Sequence, residues 1–429
     1  MIKEEQQERS ITYHTVVLGA LTREGDAQAE IFEAGTPVHL RVPAGLPGGR
    51  VTIAVEAPPE PRPGRHRRRW KPRPSRVWIT ELHEISPLRV EARCPVFGTC
   101  GGCQLQHMRY EAQLTWKRAV VQQLLHDIGG FSAAPLLDTV PCAVPWNYRN
   151  HMRFSVNRSG QPGLTARGSH RVLPLTHCPI AQEKINRALN VLGAHENARP
   201  QVLIRCGATS NQVMIQPTPA PAMARQLADA GLDLRSETME EELSGETFRI
   251  RPSSFFQTNT VQAEQMARMV LDGLLHSATD EPQEKLTVVD AYCGVGTFAR
   301  LLAGHVGKVI AIEESASAIK DAQWNLRNVE NVEILKGKVE DLLPNLAARI
   351  DGLVIDPPRA GCQQVVLDAL VDNPVTRIVY VSCEPSTLAR DLNILCHLHP
   401  VYRLRSVQPL DMFPQTAHIE CVAVLERAS

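Results

Sequence analysis

The fold is decided by residues 286–313, LTVVDAYCGVGTFARLLAGHVGKVIAIE. Two apolar runs rich in Val and Ile, residues 286–291 and 308–313, flank a loop with two glycines and a segment of helical periodicity. This order predicts a βαβ unit with two parallel strands, whose ligands bind at the carboxyl ends of the strands. Asp290 and Glu313 lie at these two strand ends.

The alternation of apolar strands and helical segments continues to the carboxyl terminus. Further strands are predicted in VEILKG, GLVIDPP, RIVYVSC, YRLRSVQPL and HIECVAVLE. Such alternation predicts an α/β fold with a doubly wound parallel sheet, closed at one edge by a hairpin-like pair of strands. Two more polar residues, Asp356 and Cys383, then end strands at the same edge.

The glycine loop allows two kinds of ligand. Gly294, Gly296 and Ala299 satisfy GxGxxA, a weak signal for a dinucleotide. Against a pyrophosphate stand four carboxylates predicted at the same sheet edge: Asp290, Glu313, Asp341 and Asp356. A cationic ligand is favoured, and S-adenosylmethionine carries an ammonium, a sulfonium and a ribose diol that suits Glu313.

One cysteine has the position of a nucleophile. Cys383, in VSCEPSTLARDL, ends a strand and precedes a helix that Pro385 opens. The amide end of this helix would favour a thiolate, while the adjacent Glu384 opposes it. Packing in a buried strand end is the alternative interpretation of Cys383.

Three other cysteines have the spacing of metal ligands. Cys94, Cys100 and Cys103 form C-x5-C-x2-C around a Gly-Gly pair, and Cys178 in THCPI is the best distant candidate for a fourth ligand. Four thiolates can hold either zinc or an iron–sulfur cluster, and the spacing does not choose between them.

The first 90 residues read as five short strands, YHTVVLGAL, AQAEIFE, TPVHLRVP, GRVTIAVEA and RVWITELHEI, which suggest a small barrel of the oligonucleotide-binding type. Between the last two lies an Arg/Pro tract, residues 57–76, with a local charge of about +7 and an interleaved Trp70. Such a tract suits RNA phosphates and stacked bases, although a merely solvated loop is the alternative.

Composition is that of a folded protein. Of 429 residues, 43% are hydrophobic and 21% charged, with 46 basic residues balancing 46 acidic ones. The chain shows neither a signal peptide nor an apolar run of 18 residues, and its cysteines number eleven. We therefore expect reduced thiols, a cytoplasmic protein and no membrane partner.

Six motifs together resemble the bacterial RNA uracil-C5 methyltransferase family, most closely its iron–sulfur members acting on 23S ribosomal RNA: CPVFGTCGGCQLQH, SFFQTN, DAYCGVGTF, IDPPRAG, VSCEPSTLARD and FPQTAHIE. The resemblance implies three domains. These are an RNA-binding TRAM barrel over 1–92, a mixed α+β iron–sulfur domain over 93–250 and a class I, Rossmann-like methyltransferase domain over 251–429. It implies a monomeric enzyme of rRNA processing, with RNA as its partner.

The resemblance also assigns roles to residues. Cys383 becomes the nucleophile and Glu420 the general base. Four residues are expected to line the cofactor and target pocket: Gln257, Tyr292, Glu313 and Asp356. A 4Fe-4S cluster is expected on four cysteines: Cys94, Cys100, Cys103 and Cys178.

The chemistry explains these roles. Uracil C5 is a poor nucleophile, but thiolate addition at C6 makes an enolate whose C5 can attack the sulfonium methyl group. A base must then remove the C5 proton before the thiolate leaves. The uridine must be unpaired or flipped out, and Phe255 and Tyr292 could stack near it.

Three alternatives remain at this point. Transfer RNA is a possible substrate in place of ribosomal RNA. An amino-methylating enzyme would explain the DPPR motif, but it needs no cysteine nucleophile. A non-catalytic RNA-binding protein would need only the barrel and the basic tract.

Overall fold

The computed structural model of the chain describes residues 10–33, 35–57, 75–193, 200–275 and 282–428. Most of the Arg/Pro tract, including Trp70, lies outside the described residues. The chain separates into two compact units, Met1–Gln113 with Gln415–Ala417, and Leu114–Pro414 with His418–Ser429. The division into three domains stays a prediction.

The first unit contains strands at the five predicted positions: β1 Ile11–Val17, β2 Ala27–Glu33, β3 Thr36–Val42, β4 Arg50–Glu56 and β5 Arg76–Glu84. Alternating residues of β2 and β3 face a core that β1 and β4 also supply. Hydrogen bonds join the strands into two sheets, β1-β4-β5 and β2-β3. The strand pairing among these described residues does not close a barrel, so the oligonucleotide-binding barrel stays a prediction.

The middle of the chain, where the resemblance implies a mixed α+β domain, opens with helix α1 Tyr110–Asp127. A six-stranded sheet follows in the order β11-β10-β9-β6-β7-β8. Its strands are β6 His151–Val156, β7 Pro162–Thr165, β8 Val172–Pro174, β9 Gln201–Cys206, β10 Gln212–Gln216 and β11 Asp233–Arg235. The remaining elements are α2 Glu183–Gly193, α3 Pro221–Asp229 and the hairpin β12 Met239–Leu243 with β13 Glu246–Ile250.

The predicted doubly wound sheet is confirmed in the last part of the chain. Its strands are β14 Thr287–Ala291, β15 Lys308–Glu313, β16 Val332–Lys336, β17 Gly352–Ile355, β18 Arg377–Ser382, β19 Tyr402–Leu410 and β20 Glu420–Arg427. Their order is β16-β15-β14-β17-β18-β20-β19. Neighbouring strands from β16 to β18 are parallel, and β20 runs antiparallel to both of its neighbours, β18 and β19. The helices are α4 Thr260–Leu275, α5 Thr297–Ala303, α6 Ala316–Asn325, α7 Val339–Leu342, α8 Gln364–Asp372 and α9 Pro385–Asn393.

Two apolar cores cover the two faces of this sheet. Every residue of β18 is buried, and the inner strands β14 and β17 are almost entirely so. Strands buried on both faces require continuous apolar sequence, which explains runs such as GLVI and IVYV. Among the described helices, none has both the length and the apolarity needed to cross a membrane.

A buried ion pair fixes the chain segment that precedes β20. Lys117 on α1 has no exposed side-chain surface, and its Nζ donates to Asp411 Oδ1 at 2.5 Å. The same ammonium donates to the carbonyl oxygens of Phe413 at 3.1 Å and His418 at 2.9 Å. A buried lysine with these acceptors holds both ends of the turn that leads into β20.

We predict that Lys117→Met lowers the free energy of unfolding by about 3–5 kcal/mol, because Asp411 stays buried without its cation. The exposed pair Lys308–Glu333, at 2.7 Å, gives a matched control. Lys308→Met should cost no more than about 1 kcal/mol. Urea denaturation of both variants measures the difference, and equal losses would contradict a structural role for the buried pair.

Candidate active site

The carboxyl ends of β14, β15, β17 and β18 meet at one edge of the sheet, because these four strands are parallel and adjacent. The loops that follow them carry most of the side chains predicted from the sequence. The antiparallel strand β20 begins at the same edge, since it runs against β18. The site is therefore built from loops that follow the buried central strands of the sheet.

Glu313 joins the first two of these loops. One carboxylate oxygen accepts from the backbone N–H of Gly294 at 2.9 Å, and the other accepts from that of Ser315 at 2.7 Å. Gly296 caps α5 with φ of +85°, and a Cβ there would lie 3.0 Å from Leu326. The positive φ of Gly296 and the hydrogen bond from Gly294 thus keep the glycine loop next to the Glu313 carboxylate.

Asp290 offers a buried acceptor beneath the loop. Its Oδ2 accepts from the backbone N–H of Ala299 at 2.8 Å, while Oδ1 has no hydrogen-bond partner among the described residues. Burial raises the pKa of Asp290 to about 8, and the neighbouring Asp356 and Glu313 add to the effect. A buried, unsatisfied carboxyl oxygen fits a ligand that donates or is cationic.

Strand register places Cys383 beside Glu420. The last hydrogen-bonded pair of β18 and β20 is Ser382 with Cys421, so continuing the antiparallel register sets Cys383 against Glu420. Glu420 is buried, with 2% of its surface exposed, whereas Cys383 is half-buried. The thiol and the carboxyl group are therefore neighbours across two strands that lie far apart in sequence.

The environment of these two groups favours their neutral forms. Burial raises the pKa of Cys383 to about 11, with further increases from Glu420 and Asp356. Burial and Asp356 raise the pKa of Glu420 well above its ordinary value. Burial also raises the pKa of Asp356 to about 7. The helix end that was expected to favour a thiolate is present at α9, but burial and the carboxylates outweigh it.

Arg359 is the functional residue that the sequence interpretation missed. Its positive charge lowers the pKa of both Cys383 and Glu420. The signal was present in IDPPRAG, because an arginine directly follows the strand-end Asp-Pro-Pro. Among the described residues, Arg359 supplies a positive charge next to Cys383 and Glu420.

Glu340 is a second residue that was not foreseen. It accepts a hydrogen bond from the Tyr292 hydroxyl at 3.0 Å. The predicted Asp341 is exposed in the first turn of α7 and is not among the groups that act on Asp290, Cys383 or Glu420. Adjacent acids in KGKVEDL gave no signal for choosing between the two.

Two other predicted positions, Gln257 and Phe255, form no hydrogen bond with Cys383, Glu420 or Asp290 in the described part of the chain. Gln257 is half-buried in the loop before α4, where its carbonyl accepts from Asn150 Nδ2 at 2.9 Å. Phe255 in the same loop is exposed and open to stacking.

All eleven cysteines are thiols. Within the first unit, the backbone N–H of Gly102 donates to Cys100 Sγ at 3.4 Å. Burial raises the pKa of Cys100, and nearby Cys94 adds to this rise. Cys178 belongs to the second unit, where it is buried. The thiols have the right chemistry for a metal or cluster, but no group of three or more His, Cys, Asp or Glu in the described part of the chain is arranged to hold a metal ion.

Comparison with known proteins places the chain in a family. Residues 228–428 match the family model for tRNA (uracil-5-)-methyltransferase. An uncharacterized RNA methyltransferase from Gloeobacter violaceus is 37% identical over 82% of this chain and 86% of its own length. Another from Bacillus cereus is 30% identical over 96% of both chains.

A solved structure extends this similarity to the fold. The tRNA (uracil-54, C5)-methyltransferase of Pyrococcus abyssi, in complex with S-adenosyl-L-homocysteine, superposes with a TM-score of 0.71 at 25% identity. The match covers 96% of this chain and 99% of the other. The sheet is therefore that of a class I S-adenosylmethionine-dependent methyltransferase, and the chain belongs to the RNA uracil-C5 methyltransferase family.

Proposed function

We propose that this enzyme forms 5-methyluridine in RNA with Cys383 as the nucleophile and Glu420 as the base that removes the C5 proton. The observation that carries the proposal is the β18–β20 register, which sets a half-buried thiol against a buried carboxyl group. An amino-methylating enzyme requires neither group. Both groups lie at the edge of the sheet where Asp290 and Glu313 offer acceptors to a cofactor.

Cys383 acts first. The thiol proton passes to solvent, Arg359 stabilises the resulting Cys383 thiolate, and the thiolate sulfur forms a bond to uracil C6. The electron pair of the C5–C6 double bond moves toward O4, so C5 becomes nucleophilic. S-adenosylmethionine would supply the methyl group: C5 bonds to the methyl carbon, the bond from that carbon to the sulfonium breaks, and S-adenosylhomocysteine leaves. The product of this step is a 5-methyl adduct that is still bonded to Cys383 and still carries the C5 proton.

Glu420 completes the reaction. Its carboxylate takes the C5 proton, the C5–C6 double bond re-forms, and the C6–S bond breaks to return the Cys383 thiolate. Burial makes Glu420 a stronger base than an exposed glutamate, because its pKa is raised. Arg359 opposes this rise and so favours the ionised carboxylate that the step requires.

The cofactor-binding residues are proposed from the same edge. Glu313 has acceptor capacity for a ribose diol beyond the two amides that it already holds. Asp290 and Asp356 supply carboxyl groups for a cationic ligand. Gln257, Tyr292, Gly294, Gly296 and Asp341 complete the proposed set.

Ribosomal RNA is the proposed substrate, on the basis of the cysteine array and its resemblance to the iron–sulfur members of the family. Transfer RNA is the second candidate, because the matching Pyrococcus abyssi enzyme acts on tRNA uridine 54. Strands β1–β5 of the first unit are proposed to form a TRAM-like RNA-binding module, since the five strands share one core. No reaction step is assigned to a metal cluster.

We predict that Glu420→Gln methylates RNA and then stalls as a covalent protein–RNA adduct, because an amide cannot take the C5 proton. Labelled 23S ribosomal RNA and transfer RNA, each incubated with the variant and S-adenosylmethionine, would show the adduct as a shifted band on denaturing gels. The RNA that shifts identifies the substrate.

The matched control for this adduct is Glu420→Gln combined with Cys383→Ala, which should give no shifted band. Slow turnover of Glu420→Gln with no adduct would assign proton removal to another group. An adduct that persists without Cys383 would remove this residue from the mechanism.

We also predict that S-adenosylmethionine binds more tightly as the pH rises from 6 to 7.5. The pKa of Asp356 is about 7 and that of Asp290 about 8, so both acids are largely protonated at pH 6 and ionise on binding a cation. The affinity should rise roughly three- to tenfold over this range. Calorimetry should show proton release on binding.

S-adenosylhomocysteine is the control ligand for this measurement, because it lacks the sulfonium charge. Its affinity should depend less on pH over the same range. Identical pH profiles for the two ligands would contradict the assignment of Asp290 and Asp356 to the cationic cofactor.

A 4Fe-4S cluster on Cys94, Cys100, Cys103 and Cys178 is proposed from the array and the family resemblance. Protein purified without oxygen should then contain about four irons per chain, and Cys178→Ser should lose them. Cys396→Ser, outside the array, should retain them. Stoichiometric zinc without iron would overturn the cluster, and full iron in Cys178→Ser would exclude that ligand.

A further inference from the structure

Helix α9, which follows Cys383, carries a fully buried acid, Asp391, that the mechanism does not use. One of its oxygens accepts from the Tyr380 hydroxyl at 2.7 Å and from the backbone N–H of Cys362 at 2.9 Å. The other accepts from Arg390 at 2.6 Å. Asp391 therefore connects the helix after Cys383, the strand before it and the turn that carries Arg359.

The turn that carries Arg359 is residues 358–362, which we name the arginine turn. It is closed by a hydrogen bond from the Gly361 N–H to the Pro358 carbonyl at 2.8 Å. Arg390 donates to two of its carbonyl oxygens, those of Ala360 at 3.0 Å and Cys362 at 3.2 Å. The turn thus rests on α9 through backbone contacts that leave the Arg359 side chain available to Cys383.

Three side chains on one face of α9 make all these contacts. Thr387, Arg390 and Asp391 stand at positions i, i+3 and i+4 of the helix. Thr387 Oγ1 lies 3.2 Å from the Arg359 carbonyl oxygen and 2.9 Å from the carbonyl of Glu384, the residue after Cys383. The arginine turn and the nucleophile are consequently held by the same helix.

Gly361 shows how closely the turn approaches this face. Its φ is +77°, and a Cβ there would lie 2.6 Å from Arg390 Nη2 and 2.7 Å from Asp391 Oδ2. No side chain fits this space, so the backbone reaches Asp391 only because residue 361 is glycine. A contact this close implies one defined position for the turn.

We propose that Asp391 is a positioning residue that clamps the arginine turn to α9 and thereby sets the Arg359 guanidinium against the Cys383 thiol. The inference rests on the proposed function for its mechanistic meaning, since Arg359 matters to the reaction only if Cys383 is the nucleophile. The effect of the clamp is the interaction of Arg359 with Cys383, which can be measured without RNA or cofactor.

The direction in which the pKa of Cys383 changes when Asp391 is replaced separates this clamp from a direct electrostatic effect of Asp391 on the thiol. Removing the negative charge of Asp391 would by itself lower the pKa of Cys383 slightly, because a nearby anion disfavours a thiolate. Releasing Arg359 would raise the pKa of Cys383, because the thiolate would lose the nearby cation that stabilises it. The proposal therefore predicts an increase in the thiol pKa where simple electrostatics predicts a decrease.

The experiment is the pH dependence of iodoacetamide alkylation of Cys383, followed by mass spectrometry of its peptide in the full-length protein. In Asp391→Asn, alkylation at pH 8 should be roughly three- to tenfold slower than in the unmodified sequence. In Arg359→Gln the loss should be at least as large. In the double variant it should equal that of Arg359→Gln alone, because Asp391 acts through Arg359.

Tyr380→Phe and Thr387→Val each remove one contact of the clamp and should slow alkylation in the same direction by less. They keep the test decisive if Asp391→Asn does not fold. An unchanged or faster alkylation in these variants, or additive losses in the double variant, would overturn the clamp. Methylation assays of Cys383→Ala test the proposed function separately, because the alkylation result stands whether or not Cys383 is the nucleophile.

Discussion

The antiparallel pairing of β18 with β20 is the constraint on which the candidate site depends. The other neighbour of β18, β17, is parallel to it and brings a carboxyl end to the site, whereas β20 enters the site from its amino end. Strand β20 begins at Glu420, and strand β18 ends one residue before Cys383. These two residues can face each other only because the two strands run in opposite directions. The buried pair Lys117–Asp411 supports this arrangement, because it holds both ends of the turn from which β20 starts.

Burial raises the pKa values of the acidic groups at this site, so their ionisation costs free energy. Three acidic groups, Cys383, Glu420 and Asp356, act on one another at the site, and burial and their mutual repulsion disfavour their charged forms. Among the residues that the structure describes, Arg359 is the one cation that lowers the pKa of both Cys383 and Glu420. A cationic methyl donor would add positive charge at the edge where Asp290 and Asp356 lie, so donor binding and ionisation of the site are coupled. This coupling links protonation of the resting enzyme to occupancy of the cofactor site.

The sequence predicted the sheet well and the site in part. Continuous apolar runs and their alternation with helices determine a doubly wound sheet, so the order of its elements and the strand-end positions of Asp290, Glu313, Asp356 and Cys383 were accessible. The contacts of Arg359 were not, because they depend on how a turn folds back onto α9. The choice of Glu340 as the Tyr292 partner depends on the rotation of a single helical turn. Nor could the sequence specify the middle sheet, whose short strands pair out of chain order.

The most direct test of the account uses RNA that contains 5-fluorouridine at the methylated position. Fluorine at C5 cannot be removed as a proton, so the reaction should stop after methyl transfer with C6 still bonded to the enzyme. Peptide mapping by mass spectrometry should then find one methylated fluorouridine adduct on Cys383. An adduct on another residue, or no adduct from an enzyme that methylates ordinary RNA, would contradict the assignment of Cys383 and Glu420 to the two halves of the reaction.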